Sequence, residues 1–282
     1  MSDQPRSILV AEDDDRIRLL IERFLGGAGH TVVACRNGRE ALDKIEAGAT
    51  FDLVVTDVNM PELDGEGLLR AVKAKLPGMP VIVLTARHDP QLITELFKND
   101  AFRYLGKPFT RDDLLGAVHA ALVEADDRPP GERAAVVMDE AGWVELTAPN
   151  KQEYLDRFQA FCEALIGTHF EDRQKSELKI AVQELGQNAI EWGNRLDAGQ
   201  HIRLSYRLLP DRICIRIADD GPGFDPSTIP DPTIDPIKLI EQREARGKRP
   251  GGFGIHLARR VMDTVSYNDR GNVVTLEKRF PT

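Results

Sequence analysis

The sequence predicts an α/β protein of two domains, and three observations carry that expectation. Residues 7–125 alternate short β-rich apolar runs with amphipathic stretches of helical spacing. Residues 201–218 instead alternate apolar and polar side chains on either side of Pro210-Asp211, the pattern of an antiparallel hairpin. Between them, residues 124–135 are charged and broken by Pro129-Pro130-Gly131, as a connector is. A chain of 282 residues, 41% hydrophobic and 29% charged, can bury two ordinary cores. The expected boundaries are 1–124 for the first domain, 125–141 for the connector and 142–282 for the second domain.

In the first domain the runs are Ser7–Ala11, Thr31–Cys35, Leu53–Thr56, Val81–Thr85 and Phe102–Leu105. Continuous apolar runs separated by helices imply a parallel sheet covered on both faces. Ligands of such sheets bind beyond the carboxyl ends of the strands. Glu12, Asp13 and Asp14 follow the first run, Asp57 follows the third, Thr85 closes the fourth and Lys107 follows the fifth. The fold therefore gathers them into one pocket. Crowded carboxylates repel one another unless a cation sits among them. Magnesium suits this set, because it takes oxygen ligands, keeps water and bridges to phosphoryl groups. One carboxylate is then a candidate nucleophile that forms an acyl phosphate, with the lysine neutralising the incoming oxygens.

In the second domain, Val144–Leu146 reads as a short strand, and Lys151–Gly167 as a helix with Asn150 as N-cap. A further helix is expected from about Arg173 to Trp192. On it Leu178, Val182, Leu185 and Ala189 form an apolar stripe, flanked by a polar stripe of Glu184, Asn188 and Glu191. Gln183 and Gln187 point to solvent in this reading. Asn188 offers an amide oxygen to magnesium, and Glu184 can orient water or take a proton. Alone, these two residues fit a solvated helix face equally well. Two glycine turns follow in order. Asp219 stands past the hairpin, where its carboxylate can accept from the exocyclic amine of adenine. Gly221 and Gly223 let the chain pass close to base and sugar. Gly252 and Gly254 open an amphipathic helix, Ile255–Val265, whose free N–H groups and dipole face phosphates. The set points to a magnesium-nucleotide pocket. No Gly-x-x-x-x-Gly-Lys-Ser/Thr loop is present, which excludes a P-loop. Residues 225–250, with five prolines and the cations Arg243, Arg246, Lys248 and Arg249, read as a solvated lid.

A formal net charge of −9 argues against direct nucleic-acid or membrane-surface binding, since no basic excess exists to neutralise phosphates. Cys35, Cys162 and Cys214 lie far apart in apolar stretches and read as reduced core residues. With no apolar run near the roughly 18 residues of a membrane span and no signal-peptide pattern, the expected location is the cytoplasm.

Residues 6–124 resemble the receiver domain of two-component response regulators. The likeness rests on Glu12-Asp13, on Asp57 followed by Met60-Pro61-Glu62-Leu63-Asp64-Gly65, on Thr85-Ala86, and on Tyr104-Leu105-Gly106-Lys107-Pro108-Phe109. It implies a flavodoxin-like (βα)5 fold in which Asp57 is the phosphoacceptor. Glu12, Asp13, Asp57 and the carbonyl of Asn59 would hold magnesium. Thr85 and Lys107 would bind the phosphoryl oxygens, and Tyr104 is the aromatic switch that turns inward on activation. Asp100-Ala101 departs from the usual Gly-Ala before the fifth strand.

Residues 142–280 resemble the ATP-binding domain shared by gyrase, histidine kinases and MutL, and within it the anti-sigma factor serine/threonine kinases of the RsbW and SpoIIAB kind. The supporting residues are Val144–Pro149, Ala181–Leu185 with Asn188-Ala189 and Gly193-Asn194, Pro230–Thr233, and Val261-Met262-Asp263. The likeness implies a Bergerat-type α/β sandwich that binds MgATP. Glu184 would be the general base, Asn188 the magnesium ligand and Asp219 the adenine acceptor, with Gly221, Gly223, Gly252 and Gly254 in the nucleotide-binding turns. Trp192 stands where the family commonly has histidine.

Together the two resemblances imply a response regulator whose phosphorylation at Asp57 controls an ATP-dependent protein serine/threonine kinase. Expected partners are an upstream histidine kinase or phosphotransfer protein and an anti-sigma-factor antagonist or similar protein; a homodimer through the receiver is compatible. Two alternatives stay open: a non-catalytic, nucleotide-dependent partner-binding switch, and a kinase for histidine on a separate protein. Glu184 favours catalysis, because a binding module has little need of a base beside a metal-ligating amide.

Overall fold

Runs of Val, Ile and Leu too apolar to face water on either side form the central strands of the first unit. The computed structural model describes residues 5–86, 90–127, 135–166, 169–226 and 254–281, and the chain divides into two units, 1–133 and 134–282. The first contains β1 (Ser7–Ala11), α1 (Asp15–Gly27), β2 (Thr31–Cys35), α2 (Gly38–Glu46), β3 (Leu53–Asp57), α3 (Gly65–Lys75), β4 (Val81–Thr85), α4 (Pro90–Lys98), β5 (Arg103–Gly106) and α5 (Arg111–Asp127). The strand order is β2-β1-β3-β4-β5, parallel throughout. β3 and β4 are buried along their whole length, as central strands covered by helices must be. The order switches between β1 and β3, so the loops after these strands diverge and open a crevice at the carboxyl edge.

Short polar residues start the helices. Asp14 caps α1 by accepting from the backbone N–H groups of Arg16 at 2.8 Å and Ile17 at 3.1 Å. Those bonds hold its carboxyl below the ordinary range. Asn37 and Asp64 cap α2 and α3 in the same way. The departure at Asp100 is absorbed locally: the residue takes a left-handed conformation (φ 58°), which Asp tolerates, and Lys73 binds its carboxylate at 2.9 Å.

The second unit contains β6 (Ala135–Met138), β7 (Val144–Pro149), α6 (Gln152–Ile166), α7 (Asp172–Asn188), a π-helical turn (Ala189–Gly193), β8 (His201–Leu208), β9 (Arg212–Asp219), α8 (Gly254–Val261), β10 (Thr264–Tyr267) and β11 (Val273–Arg279). Among the described residues these strands make one sheet, β10-β11-β9-β8-β7-β6, with every neighbouring pair antiparallel. One face is buried: Leu204 and Tyr206 of β8 pair with Ile217 and Ile215 of β9, Ile202 and Ile213 are buried on the same face, and Phe161 of α6 packs on Tyr206 with ring centroids 4.9 Å apart. None of the helices described is long and apolar enough to cross a membrane.

Several expectations for this unit are corrected. The connector assigned to 125–141 contains the end of α5 and all of β6, which pairs with β7. Asn150 does not cap α6. Its Nδ2 donates instead to Ile190 O and Asp197 O, each at 3.3 Å, and its Oδ1 accepts from Asn194. The helix expected to reach Trp192 loosens into the π-helical turn after Asn188. The helix expected to reach Val265 stops at Val261, because Asp263 N donates to Glu277 O and Asp263 Oδ2 accepts from Arg279 N, which starts the β10–β11 ladder. Gln183 does not face solvent but accepts from Gln159 Nε2 of α6 at 2.7 Å, and Gln187 donates to Glu191 at 2.6 Å.

Candidate functional site

At the carboxyl edge of the parallel sheet, Lys107 reaches back from the end of β5 and places its Nζ 2.7 Å from Asp57 Oδ1 and 2.7 Å from Glu12 Oε2. Its backbone N–H also donates to Thr85 O at 2.8 Å, which ties the ends of β4 and β5 together. Glu12 is 1% exposed and Asp57 6% exposed, while Asp13 faces solvent. Oxygens of Glu12, Asp13 and Asp57 all lie within 4.8 Å of one another. Burial pushes the Glu12 carboxyl up, against the pull of the Lys107 bond and with help from the Asp57 charge. Burial also works against the Lys107 charge, but the two carboxylates outweigh it and raise its pKa.

The other expected residues fall around this triad. Thr85 is buried at the end of β4, and Tyr104 on β5 is buried beside Val83 in register. Asn59 is exposed in the loop after β3. Asp14 is spent on capping α1 and takes no part in the cluster. Gly65 has a role that the sequence showed only as part of a motif: a Cβ there would stand 2.0 Å from Asp57 O, and its N–H donates to Val58 O at 2.8 Å. The loop after Asp57 thus folds flat on the end of β3.

In the second unit the geometry centres on Asp219, at the end of β9 and 8% exposed. Its Oδ1 accepts from Gly221 N at 2.9 Å. Burial, aided by the Asp220 charge, pushes its carboxyl above the ordinary range although the Gly221 bond pulls it down. Gly193 walls this carboxylate, since a Cβ there would lie 2.2 Å from Asp219 Cγ; one on Gly221 would lie 2.0 Å from Gly193 O. Gly223 has φ +78° and passes under Arg270 O, where a Cβ would meet it at 1.9 Å. Glu184 is exposed on α7, but its carboxylate lies over the first residue of α8: a Cβ on Gly254 would stand 2.6 Å from Glu184 Oε2. Asn188 is half-buried at the last position of α7. Gly252 lies outside the described residues, as do the four lid cations.

A family model for the response regulator receiver domain matches residues 8–119, and one for the histidine kinase-like ATPase domain matches residues 148–278. The DNA-binding transcriptional regulator NtrC of Escherichia coli K12 is 38% identical over 115 residues, 41% of this chain and 24% of that protein. The transcriptional regulatory protein FixJ of Bradyrhizobium diazoefficiens is 32% identical over 149 residues, 53% of this chain and 71% of that protein. The chain belongs to the response regulator receiver family. Behind the receiver it carries a histidine kinase-like ATPase domain, so it is a response regulator with an ATPase-type output. A receiver domain structure from Clostridium thermocellum is 34% identical over 43% of this chain and 97% of that one, with a TM-score of 0.41. The chain spans about a quarter to a third of the length of the NtrC proteins it matches.

The donor set of the receiver fits magnesium. Three carboxylates converge at the edge of a sheet, one of them open to water, which suits a cation that keeps part of its hydration shell. The ATPase domain fits adenine through a buried carboxylate and two turns where side chains have no room. Gly193, Asn194, Arg270 and Asn272 surround Asp219 and its peptide without any site role legible in the sequence. Arg270 Nη2 donates to Gly221 O at 2.9 Å and so holds the glycine turn against the β10–β11 loop. Only the pair Gly193-Asn194 carried a signal, as part of the resemblance in the second half.

Proposed function

We propose that Asp57 accepts a phosphoryl group from a histidine kinase or phosphotransfer protein, and that its state controls an ATP-dependent serine/threonine kinase activity of the second domain. The observation that carries this reading is Lys107, bound equally to Asp57 and Glu12. A lysine so placed neutralises the acceptor carboxylate and is ready to follow incoming phosphoryl oxygens. An Asp57 oxygen attacks phosphorus, the bond to the donor nitrogen breaks, and an acyl phosphate forms with the electron pair leaving on the donor. Glu12, Asp13, Asp57 and the Asn59 carbonyl would hold magnesium, which when bound offsets charge on the transferred group. Thr85 and Lys107 would then bind the phosphoryl oxygens, and Tyr104 would follow them.

In the ATPase domain Asp219 would accept from the adenine amine, Asn188 would hold magnesium, and the turns at Gly221, Gly223, Gly252 and Gly254 would surround the nucleotide. ATP supplies the γ-phosphoryl group when bound. Glu184 would take the proton from a serine or threonine hydroxyl of the partner, an anti-sigma-factor antagonist or a protein of that kind, as its oxygen becomes the nucleophile. The site for that base is supported by the closeness of the Glu184 carboxylate to Gly254, at the helix end where phosphates would bind.

The test is incubation of the full chain with γ-labelled ATP and candidate partners encoded nearby. Acid-stable label on a partner, lost in Glu184→Gln, supports the reading. Acid-labile label identifies a histidine or aspartate kinase instead, and binding of partner and nucleotide without transfer identifies a non-catalytic switch.

A further inference from the structure

β9 ends at Asp219, and the peptide that follows is gripped by two side-chain amides. Asn272 Nδ2 donates to Asp219 O at 3.0 Å, and Asn194 Oδ1 accepts from Asp220 N at 2.9 Å. These are the carbonyl and the N–H of one planar peptide unit, so both of its polar ends are fixed. The last ladder bond on this side, Asp219 N to Asn272 O at 3.1 Å, comes just before it. Past that point the asparagines fix the peptide itself, while the Asp220 carboxylate is tied to β8 by His201 N–H at 3.0 Å and Arg203 Nη1 at 2.6 Å.

Neither amide is free to turn. Asn272 Oδ1 accepts from Asn268 Nδ2 at 3.0 Å, while Asn268 Oδ1 accepts from the N–H groups of Asn272 and Val273, each at 3.1 Å. Asn194 Nδ2 donates to Asn150 Oδ1 and His201 O, each at 2.9 Å. Asn150, Asn194 and Asn272 are all buried, where every donor and acceptor engaged adds to rigidity. The direction of the peptide after Asp219 sets where Gly221 N–H lies, and that N–H occupies Asp219 Oδ1.

We propose that Asn272 and Asn194 are positioning residues for base selection: they fix the Asp219–Asp220 peptide and, through Gly221 N–H, aim the second Asp219 oxygen at the exocyclic amine of a purine nucleotide. This rests on the reading of the second domain as an adenine-nucleotide pocket. Neither asparagine needs to touch the nucleotide. Their effect is on discrimination between adenine and a purine that carries a carbonyl in place of the amine.

The experiment is calorimetric titration of the full chain with MgATP and with MgITP, whose hypoxanthine lacks the amine. The unaltered chain is expected to prefer ATP. Asn272→Ala is expected to weaken ATP binding about fivefold while leaving ITP within about twofold, as loss of one well-placed hydrogen bond predicts. Combined with Asp219→Asn, Asn272→Ala should have no further effect on the ATP/ITP ratio, because it acts through that carboxylate. Thermal unfolding without nucleotide checks the fold, and Asn194→Ala provides the same comparison if Asn272→Ala does not fold. Equal loss for both nucleotides, an unchanged ratio, or an undiminished effect in the Asp219→Asn background overturns the proposal. A starting chain that does not distinguish ATP from ITP overturns it together with the role of Asp219. A starting chain that does, with variants that keep its ratio, overturns the positioning role alone.

Discussion

Lys107 Nζ lies 2.7 Å from Asp57 Oδ1 and the same distance from Glu12 Oε2, so a single cation holds two buried carboxylates together at the edge of the receiver sheet. Removing it leaves both without that charge. Lys107→Met is therefore expected to destabilise the receiver by about 3 kcal/mol at neutral pH, with part recovered on adding magnesium. Urea denaturation of variant and parent, with and without the metal, measures this; equal midpoints in the absence of metal would contradict it.

Asp57 is the acid that ends β3, binds Lys107 and has Gly65 folded on its carbonyl. Asp57→Asn is expected to abolish labelling by a small phosphodonor such as acetyl phosphate, with the far-UV spectrum unchanged. Labelling at the parent level would move the acceptor to another residue.

The second site depends on missing side chains. A Cβ on Gly193 or Gly221 would enter the space of the Asp219 carboxylate or of Gly193 O. Gly193→Ala and Gly221→Ala should each weaken MgATP binding about tenfold or more, because the carboxylate must rotate away from its partner. Isothermal titration gives the answer directly.

Acid should weaken nucleotide binding through Asp219. Its carboxyl is raised above the ordinary range by burial, and only the ionised form accepts fully from the adenine amine. Binding is thus at full strength above the raised pKa and declines as pH falls through it, beginning at a higher pH than for an ordinary aspartate near 4. Affinity measured against pH should show that decline in the parent and lose it in Asp219→Asn.

What the sequence revealed and what it hid divide along range. The five parallel strands were legible because Val-Ile-Leu runs are local, and the acids and Lys107 could be placed because such sheets gather their strand ends. Asn150 looks like a helix cap from its neighbours alone, but its amide serves Ile190, Asp197 and Asn194, forty or more residues away. Gln183 sits on the side of α7 that helical spacing turns to solvent, and no periodicity reveals that α6 covers that side. β6 was lost in a charged, proline-rich connector since its apolar run is only four residues and its partner β7 supplies the reason to be extended. The helix at Gly254 seemed to continue to Val265 because Thr264-Val265 keeps helical spacing, while the β10–β11 ladder claims those residues. Asn272 carries no motif at all; only the folded chain brings it to Asp219.

The proposed function makes the state of Asp57 control the ATP site of the same chain. The most direct measurement is MgATP titration and transfer of γ-label to partner, run on the full chain with and without a beryllofluoride phosphoryl mimic, and again in Asp57→Asn. The mimic is expected to shift affinity or transfer by about five- to a hundredfold, the range of ordinary coupling between sites, and Asp57→Asn to remove the shift. Identical affinity and identical transfer in all three states would contradict it.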